Sequence, residues 1–237
     1  MKTGREVWAI VPTRSGSTGL PEKNIREIAG RPLLHYMLTT ALAARNLTRV
    51  MLTTDSDRTA EVAEQISGVE VMKHDPAFSV SGQPSFGVFQ YTLKKCLEKS
   101  SVKPEAVALL RVTTPLCLSS DIDNAIELLL SKRGQATSVL SVVKSDVHPK
   151  RVYAIDKEGV LRSREESPER DFPLPRQVFD DVYIRNGAIY SALPDVVLKG
   201  SLWGEKPLPY IMPKDRSINI NDEVDFILAE QLLKMLL

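Results

Sequence analysis

Short apolar runs rich in β-branched residues, separated by stretches of helix length, constrain this chain more than any other feature of its sequence. VWAIV (7–11), RVMLTT (49–54), AVALLRV (106–112) and TSVLSVV (137–143) each read as a buried strand. Between them, residues 32–44 place Leu33, Leu34, Met37, Leu38, Ala41 and Leu42 at the i, i+3, i+4 recurrence of a helix buried on one side, and Pro32 suits its first turn. Ser56 or Asp57 can cap a second helix that buries Val62, Ala63 and Ile66. Ser119, Ser120 or Asp121 can cap a third, through Ile122, Ala125, Ile126 and Leu129. Strand, helix, strand repeated in this way predicts an α/β fold with a mainly parallel, doubly wound sheet and helices on both faces.

The rhythm breaks after about residue 143. Residues 144–182 are dense in charge and proline, including SREESPERDFPLPRQ (163–177), with one hairpin expected over 152–161 around a turn at 156–159. This reads as an insertion into a single domain spanning 1–237, its role a lid or a dimer contact, or else a disordered loop. NGAIYS (186–191) and residues 207–212 then look like returning strands. A closing helix over 223–237 carries Phe226, Ile227, Ala229, Leu232, Leu233 and Leu236 on its apolar side.

Composition narrows the function classes. Lys plus Arg number 31 against 30 Asp plus Glu, so the net charge of +1 gives no bulk attraction to a polyanion. With no aromatic-basic platform either, nucleic-acid binding is disfavoured. No segment approaches the roughly 18 apolar residues of a membrane span, and the opening MKTGREVW lacks the apolar core of a secretory signal, so a cytoplasmic protein is expected. Cys96 and Cys117 form no C-x-x-C pair and His35, His74 and His148 are scattered, which argues against a disulfide framework and a structural zinc.

The informative segment is AIVPTRSGSTGLPEKN (9–24). A buried strand ends at Pro12 and runs into a loop holding Arg14, Ser15, Gly16, Ser17, Thr18 and Gly19, then Lys23 and Asn24. In an open α/β sheet, ligands sit beyond the carboxyl ends of the strands. Glycines there let backbone N–H groups face an anion, and the hydroxyls, guanidinium and ammonium add donors suited to a polyphosphate. Neither G-x-x-x-x-G-K-[ST] nor G-x-G-x-x-G fits the spacing, and the hydrolase elbow G-x-S-x-G is missing as well. On composition alone, such a loop could equally be a plain turn.

The segment resembles the signature of the cytidylyltransferases that make CMP-sialic acid and related CMP-nonulosonic acids, close to IPARxGSKGLPxKN. Further pieces follow in family order: GRPLLHYML (30–38), VMLTTDSDRTAEVAE (50–64), LLRVTTPL (109–116), RNGAIYS (185–191) and ININDEVDF (218–226), so the likeness covers nearly the whole chain. It implies a Rossmann-like nucleotidyltransferase that joins CMP from CTP to the anomeric hydroxyl of a nonulosonic acid, works with Mg²⁺ and forms a homodimer. In that homodimer, residues 147–177 would reach the partner's sugar pocket. It also implies site residues: Pro12, Arg14, Ser15, Gly16, Ser17, Thr18, Gly19, Lys23 and Asn24 on the nucleotide, with Arg14 and Lys23 catalytic. Arg111, Thr113, Arg176, Gln177, Arg185, Asn186 and Gly187 would meet the sugar acid, and Asn219, Asn221 and Asp222 the metal. Lys73 or His74 falls where relatives place a basic nucleotide contact. His35, on an apolar helix, reads as packing.

Three departures from that pattern matter. Thr18 stands where the family carries a lysine, removing one cation from the cradle. Arg111 stands where many members carry a glutamine that touches the sugar acid; it could pair bidentately with a carboxylate or form a structural ion pair at the sheet edge. Asn219 and Asn221 align with aspartates that hold magnesium, and an amide oxygen brings no charge, so Asp222, Asp225 or Asp55 would have to compensate. Asp222 and Glu223 equally suit the first turn of the last helix. Two alternatives follow: a cytidylyltransferase for another acceptor, Kdo or a phosphonate, or a CTP-binding protein that has lost turnover.

Overall fold

The computed structural model describes residues 4–15, 20–79, 85–165 and 174–236. In chain order the elements are β1 (Val7–Pro12), β2 (Glu27–Ile28), β3 (Arg31–Pro32), α1 (Leu33–Ala43), β4 (Arg49–Thr54), α2 (Asp57–Glu64), β5 (Val69–Lys73) and α3 (Ser85–Lys99). They continue with β6 (Ala106–Leu110), α4 (Ser119–Ser131), β7 (Ser138–Lys144), β8 (Tyr153–Ile155), β9 (Leu161–Ser163), β10 (Tyr183–Ala192), α5 (Pro194–Leu198), β11 (Pro207–Ile211) and α6 (Glu223–Leu236).

Seven strands form one sheet in the order β11-β7-β10-β6-β1-β4-β5. The pairings β1 with β4, β1 with β6, β4 with β5 and β7 with β11 are parallel, whereas β10 runs antiparallel to both β6 and β7. Alternation along the strands feeds two cores. Val7, Ala9 and Val11 of β1 join Leu34, Met37 and Leu38 of α1 and Ile122, Ile126 and Leu129 of α4 on one face. Trp8 and Ile10 join Phe89, Leu93 and Cys96 of α3 and Val197 of α5 on the other. Helices on both faces are what the periodicity predicts; the antiparallel β10 makes the sheet mixed. A third cluster seats Phe226, Ala229 and Leu233 of α6 against Leu33, Ile28 and the fully buried Ile220.

The caps follow ordinary chemistry. Ser56 Oγ accepts the Thr59 N–H at 3.2 Å to start α2. At α4 the expected side-chain cap is replaced by Leu118, whose N–H is taken by the Asp121 carboxylate from within the first turn at 3.0 Å. Burial pushes the Asp121 carboxyl upward, but hydrogen bonds from Arg216, the Leu118 N–H and the Tyr210 hydroxyl outweigh it and hold the group below its ordinary range. The hairpin expected in the insertion is present as β8 and β9. Its turn is held by Asp156, whose N–H donates to Val160 O and whose carboxylate accepts the Glu158 and Val160 N–H groups, with Gly159 at φ +79°. Strand β5 and helix α3 lie in a stretch the sequence reading left unassigned.

Candidate functional site

The end of β1 is tied to its neighbour before the chain leaves the sheet. Thr13 donates to Thr53 O through both its N–H, at 2.8 Å, and its hydroxyl, at 3.1 Å. Ser15 then donates from its N–H and from its hydroxyl to the two oxygens of Asp55, each at 2.8 Å. Residues 16–19, and with them the expected roles of Gly16, Ser17, Thr18 and Gly19, lie outside the described residues. Beyond them the chain returns through a short turn, Lys23–Ile25, where Asn24 Nδ2 donates to Arg14 O at 3.1 Å. The two flanks of the loop are thus bound to each other and to β4.

A cleft of about 410 Å³ opens at this end of the sheet. Pro12, Arg14, Lys23, Asn24, Arg111, Thr113 and Arg185 line it together, so residues far apart in sequence meet in one cleft. Arg111 follows directly on β6. Arg185 arrives because β10 is antiparallel, which brings its N-terminal half to the carboxyl end of β6. Among the described residues, no carboxylate lines the cleft. The opposite wall, from Phe78, Phe86, Val88, Leu109, Tyr190 and Leu202, is apolar. Its α3 contribution was missed by the sequence reading, although Phe86, Phe89, Leu93, Cys96 and Leu97 recur at helical spacing.

The cations here are poorly compensated. Lys23 Nζ donates to Ile220 O at 2.7 Å. Its pKa is pushed down by burial first and then by the Arg111 guanidinium, with Asp225 opposing and Arg14 adding to the fall. Arg111 has no hydrogen-bond acceptor or ion-pair partner among the described residues, so the structural ion pair at the sheet edge is not formed. Arg185 stacks over the Trp203 ring at 5.3 Å.

Gly187 sits at φ +82°, and a Cβ there would come within 2.9 Å of Asn219 Nδ2 and 3.4 Å of Arg111 Nη1. The absence of a side chain lets Asn219 and Arg111 close on the same spot. Asn186, expected to face the sugar, turns the other way. It is 3% exposed, its Oδ1 accepts from Ser141 Oγ at 2.6 Å and its Nδ2 donates to Ser217 Oγ at 2.9 Å. It holds the bulge between Arg185 and Tyr190 that offsets β10 from β7. Gln177 lines a separate cavity of about 310 Å³ with Lys144, His148, Arg151 and Phe179 within the insertion. Arg176 opens the turn Arg176–Val178 beside it, and its side chain lies outside the description. Lys73 pairs with Asp57, and His74 Nδ1 meets Thr53 Oγ1 at 2.9 Å, buried beneath the sheet end, so neither lines the cleft. His35 is half-buried on α1, edge-on to Tyr36, as packing would have it.

The expected magnesium ligands make a poor donor set. Asp222 Oδ1 accepts the Asp225 N–H at 3.0 Å and Asp225 Oδ2 accepts the Asn221 N–H at 2.9 Å, so each carboxylate has one oxygen engaged at the start of α6. Asn221 turns its Nδ2 to Asn219 O at 2.9 Å. Asp55, the third compensating group, is taken up by Ser15. Asn219 Oδ1 and Thr113 Oγ1 are buried without partners among the described residues, but neither is charged. No group of three His, Cys, Asp or Glu side chains that could hold a metal exists among the described residues. A hard divalent ion wants anionic oxygens, and here it would meet amides beside Lys23 and Arg111. These residues do not fit a protein-held Mg²⁺.

The chain is 27% identical over 230 residues to N-acylneuraminate cytidylyltransferase A of Danio rerio and 29% identical over 225 residues to N-acylneuraminate cytidylyltransferase of Escherichia coli, spanning 51% of each of those longer proteins. It is 26% identical over 232 residues to CMP-N,N'-diacetyllegionaminic acid synthase of Legionella pneumophila, with 97% of both chains covered. Among solved structures, CMP:2-keto-3-deoxy-manno-octonic acid synthetase complexed with CTP superposes with a TM-score of 0.73 at 14% identity, covering 98% of this chain and 100% of the other. A 4-diphosphocytidyl-2C-methyl-D-erythritol synthase from Anaerococcus prevotii gives a TM-score of 0.65 at 17% identity, covering 98% of this chain and 97% of that one. At such identities these structures speak for the fold alone, a Rossmann-like α/β sheet with helices on both faces. Residues 8–191 match the model of the cytidylyltransferase family, and the chain belongs to that family.

Proposed function

We propose that this protein transfers CMP from CTP to the anomeric hydroxyl of a nonulosonic acid of the sialic, legionaminic or pseudaminic type. In that reaction the acceptor oxygen bonds to the α-phosphorus, the bond from that phosphorus to the bridging oxygen breaks, and pyrophosphate leaves with the electron pair. The hydroxyl proton passes to water. The observation that carries the reading is the cleft beyond β1 and β6, where Arg14, Lys23, Arg111 and Arg185 converge with no carboxylate among the described lining residues. A site so charged suits two anionic reactants, a triphosphate and a carboxylate. Arg14, Lys23 and Asn24 belong to the nucleotide side, with the backbone of residues 9–12 beneath the cytosine and ribose; Thr113, Arg185 and Gly187 belong to the acceptor side, and Arg111 stands between the two.

The apolar wall formed by Phe86, Tyr190 and Leu202 supports an acid bearing acyl groups over one bearing hydroxyls alone, and the relative of matching length is a synthase for a diacetylated acid. Kdo is the alternative acceptor, whose synthetase shares the fold. The uncharged Asn219 and Asn221 favour a second reading, a CTP-binding protein without turnover. Pyrophosphate release from CTP and Mg²⁺ with a panel of sialic, legionaminic and pseudaminic acids and Kdo separates these. Release with an acylated acid is expected; saturable CTP binding with no release from any acid would establish the second reading.

The same proposal includes a homodimer made through the insertion. Strands β8 and β9 form a two-stranded hairpin, marginal on its own, that leaves Ile155 and Leu161 72% and 61% exposed. No helix among the described residues is long and apolar enough to cross a membrane, and a cytoplasmic location fits the CTP supply.

A further inference from the structure

Resting on the cytidylyltransferase reading, we infer that this chain compensates the charge of the bound triphosphate with its own Arg111 and Lys23, in place of a divalent cation held by residues 219–222. The argument is one of position. The Ile220 N–H donates to Thr113 O at 2.8 Å and the Ile220 side chain is fully buried, which pins the 219–221 segment to the turn after β6. On that segment Lys23 Nζ reaches Ile220 O at 2.7 Å, and Arg111 Nη1 and Asn219 Nδ2 abut the same face of Gly187.

Two protein cations therefore stand where a metal on residues 219–222 would stand. Like charges at such range repel, and the nearby Asp222 and Asp225 carboxylates, each of which also accepts one backbone N–H, offset that repulsion only in part. Arg111 is unpaired among the described residues, and its planar fork of N–H donors can meet a phosphate along one edge and the acceptor carboxylate along another. Asn219 and Asn221 become intelligible in this arrangement: aspartates there would form ion pairs with Lys23 and Arg111 and cancel the charge meant for CTP.

The test is calorimetric titration of the full chain with CTP, once in excess EDTA and once in excess Mg²⁺. Binding in EDTA is expected to be no weaker than with Mg²⁺. Arg111→Gln should weaken binding in EDTA by about tenfold or more, the size of a lost charge-assisted pair, with Arg111→Lys restoring part of it. Adding Asn219→Asp and Asn221→Asp to Arg111→Gln should make CTP binding depend on Mg²⁺. A tenfold loss for the unaltered protein in EDTA overturns the inference without any variant, as does indifference to Arg111→Gln in a protein that melts normally. Absence of CTP binding in both conditions sinks the cytidylyltransferase reading itself, a distinguishable result.

Discussion

Lys23 occupies a half-buried position that burial and two guanidiniums make uncomfortable for an ammonium, and among the described residues its ammonium donates to a backbone carbonyl. A triphosphate would relieve that discomfort, so Lys23→Ala should weaken CTP binding by about 10- to 100-fold, corresponding to ~1.5–3 kcal/mol for a charge-assisted contact. Calorimetry checks this, and unchanged affinity would remove Lys23 from the nucleotide site. Gly187 makes a separate case. Alanine there must adopt φ +82° and displace the Asn219 amide, which shifts Arg111 as well. Gly187→Ala should lower kcat/KM for the acid by about 10- to 100-fold, the usual penalty for a misplacement near 1 Å, while CTP affinity changes less. Steady-state kinetics with each substrate varied in turn separates the two effects.

At the scale of elements, the parts that carry the site are locked by a few buried polar groups. Asp121, with no exposed surface, binds the Leu118 N–H at the start of α4, the Tyr210 hydroxyl of β11 at 3.0 Å, and Arg216 through both oxygens at 2.9 and 3.0 Å. Its carboxyl is held below the ordinary value, so the folded state binds the ionised form. That stability is fully present above the unfolded pKa of about 4 and is lost as the pH falls through the lower folded value. Asp121→Asn leaves Arg216 facing an amide, and removing one partner of a buried pair typically costs ~3 kcal/mol. Melting should therefore fall by roughly 6–12 °C at pH 7 for a chain of this size. The gap should narrow below about pH 4, where the native aspartate also protonates; a gap that stays constant to pH 2 would contradict the account. Ser141 of β7 does similar work against β10, where its hydroxyl donates toward Asn186 Oδ1 and its oxygen takes the Ile189 N–H at the bulge.

For the whole molecule, the insertion and the start of β10 leave apolar side chains in solvent among the described residues. Ile155, Leu161, Val178 and Ile184 are all more than half exposed, at 72%, 61%, 59% and 55%. Light scattering at micromolar concentration should report a dimer, and the pair Ile155→Asp with Leu161→Asp should convert it to a folded monomer with an unchanged melt of the central sheet. A wild-type monomer would refute the homodimer. The cavity holding Gln177, Arg151 and His148 lies in this insertion, so any role of Gln177 toward the acid would require the neighbouring copy.

Much of this was legible in the residues alone. Strands β1, β4, β6 and β7 and helices α1, α2 and α4 follow from apolar periodicity, because burial against a sheet demands it locally and leaves its mark within some ten residues. The residues flanking the loop after β1, Arg14 and Lys23 with Asn24, which line the cleft, were equally readable, since their spacing after a strand is a local feature of the sequence. Other features had no local signature. That Asn186 faces inward depends on a bulge whose hydrogen bonds come from Ser141 and Ser217, dozens of residues away. That β10 runs antiparallel, delivering Arg185 and Gly187 to the end of β6, is a matter of sheet topology. The gathering of four cations without a carboxylate among the described lining residues arises only when strands distant in sequence end at one edge. Periodicity records which side of an element is buried; which charges meet across a cleft is settled by how the elements pack.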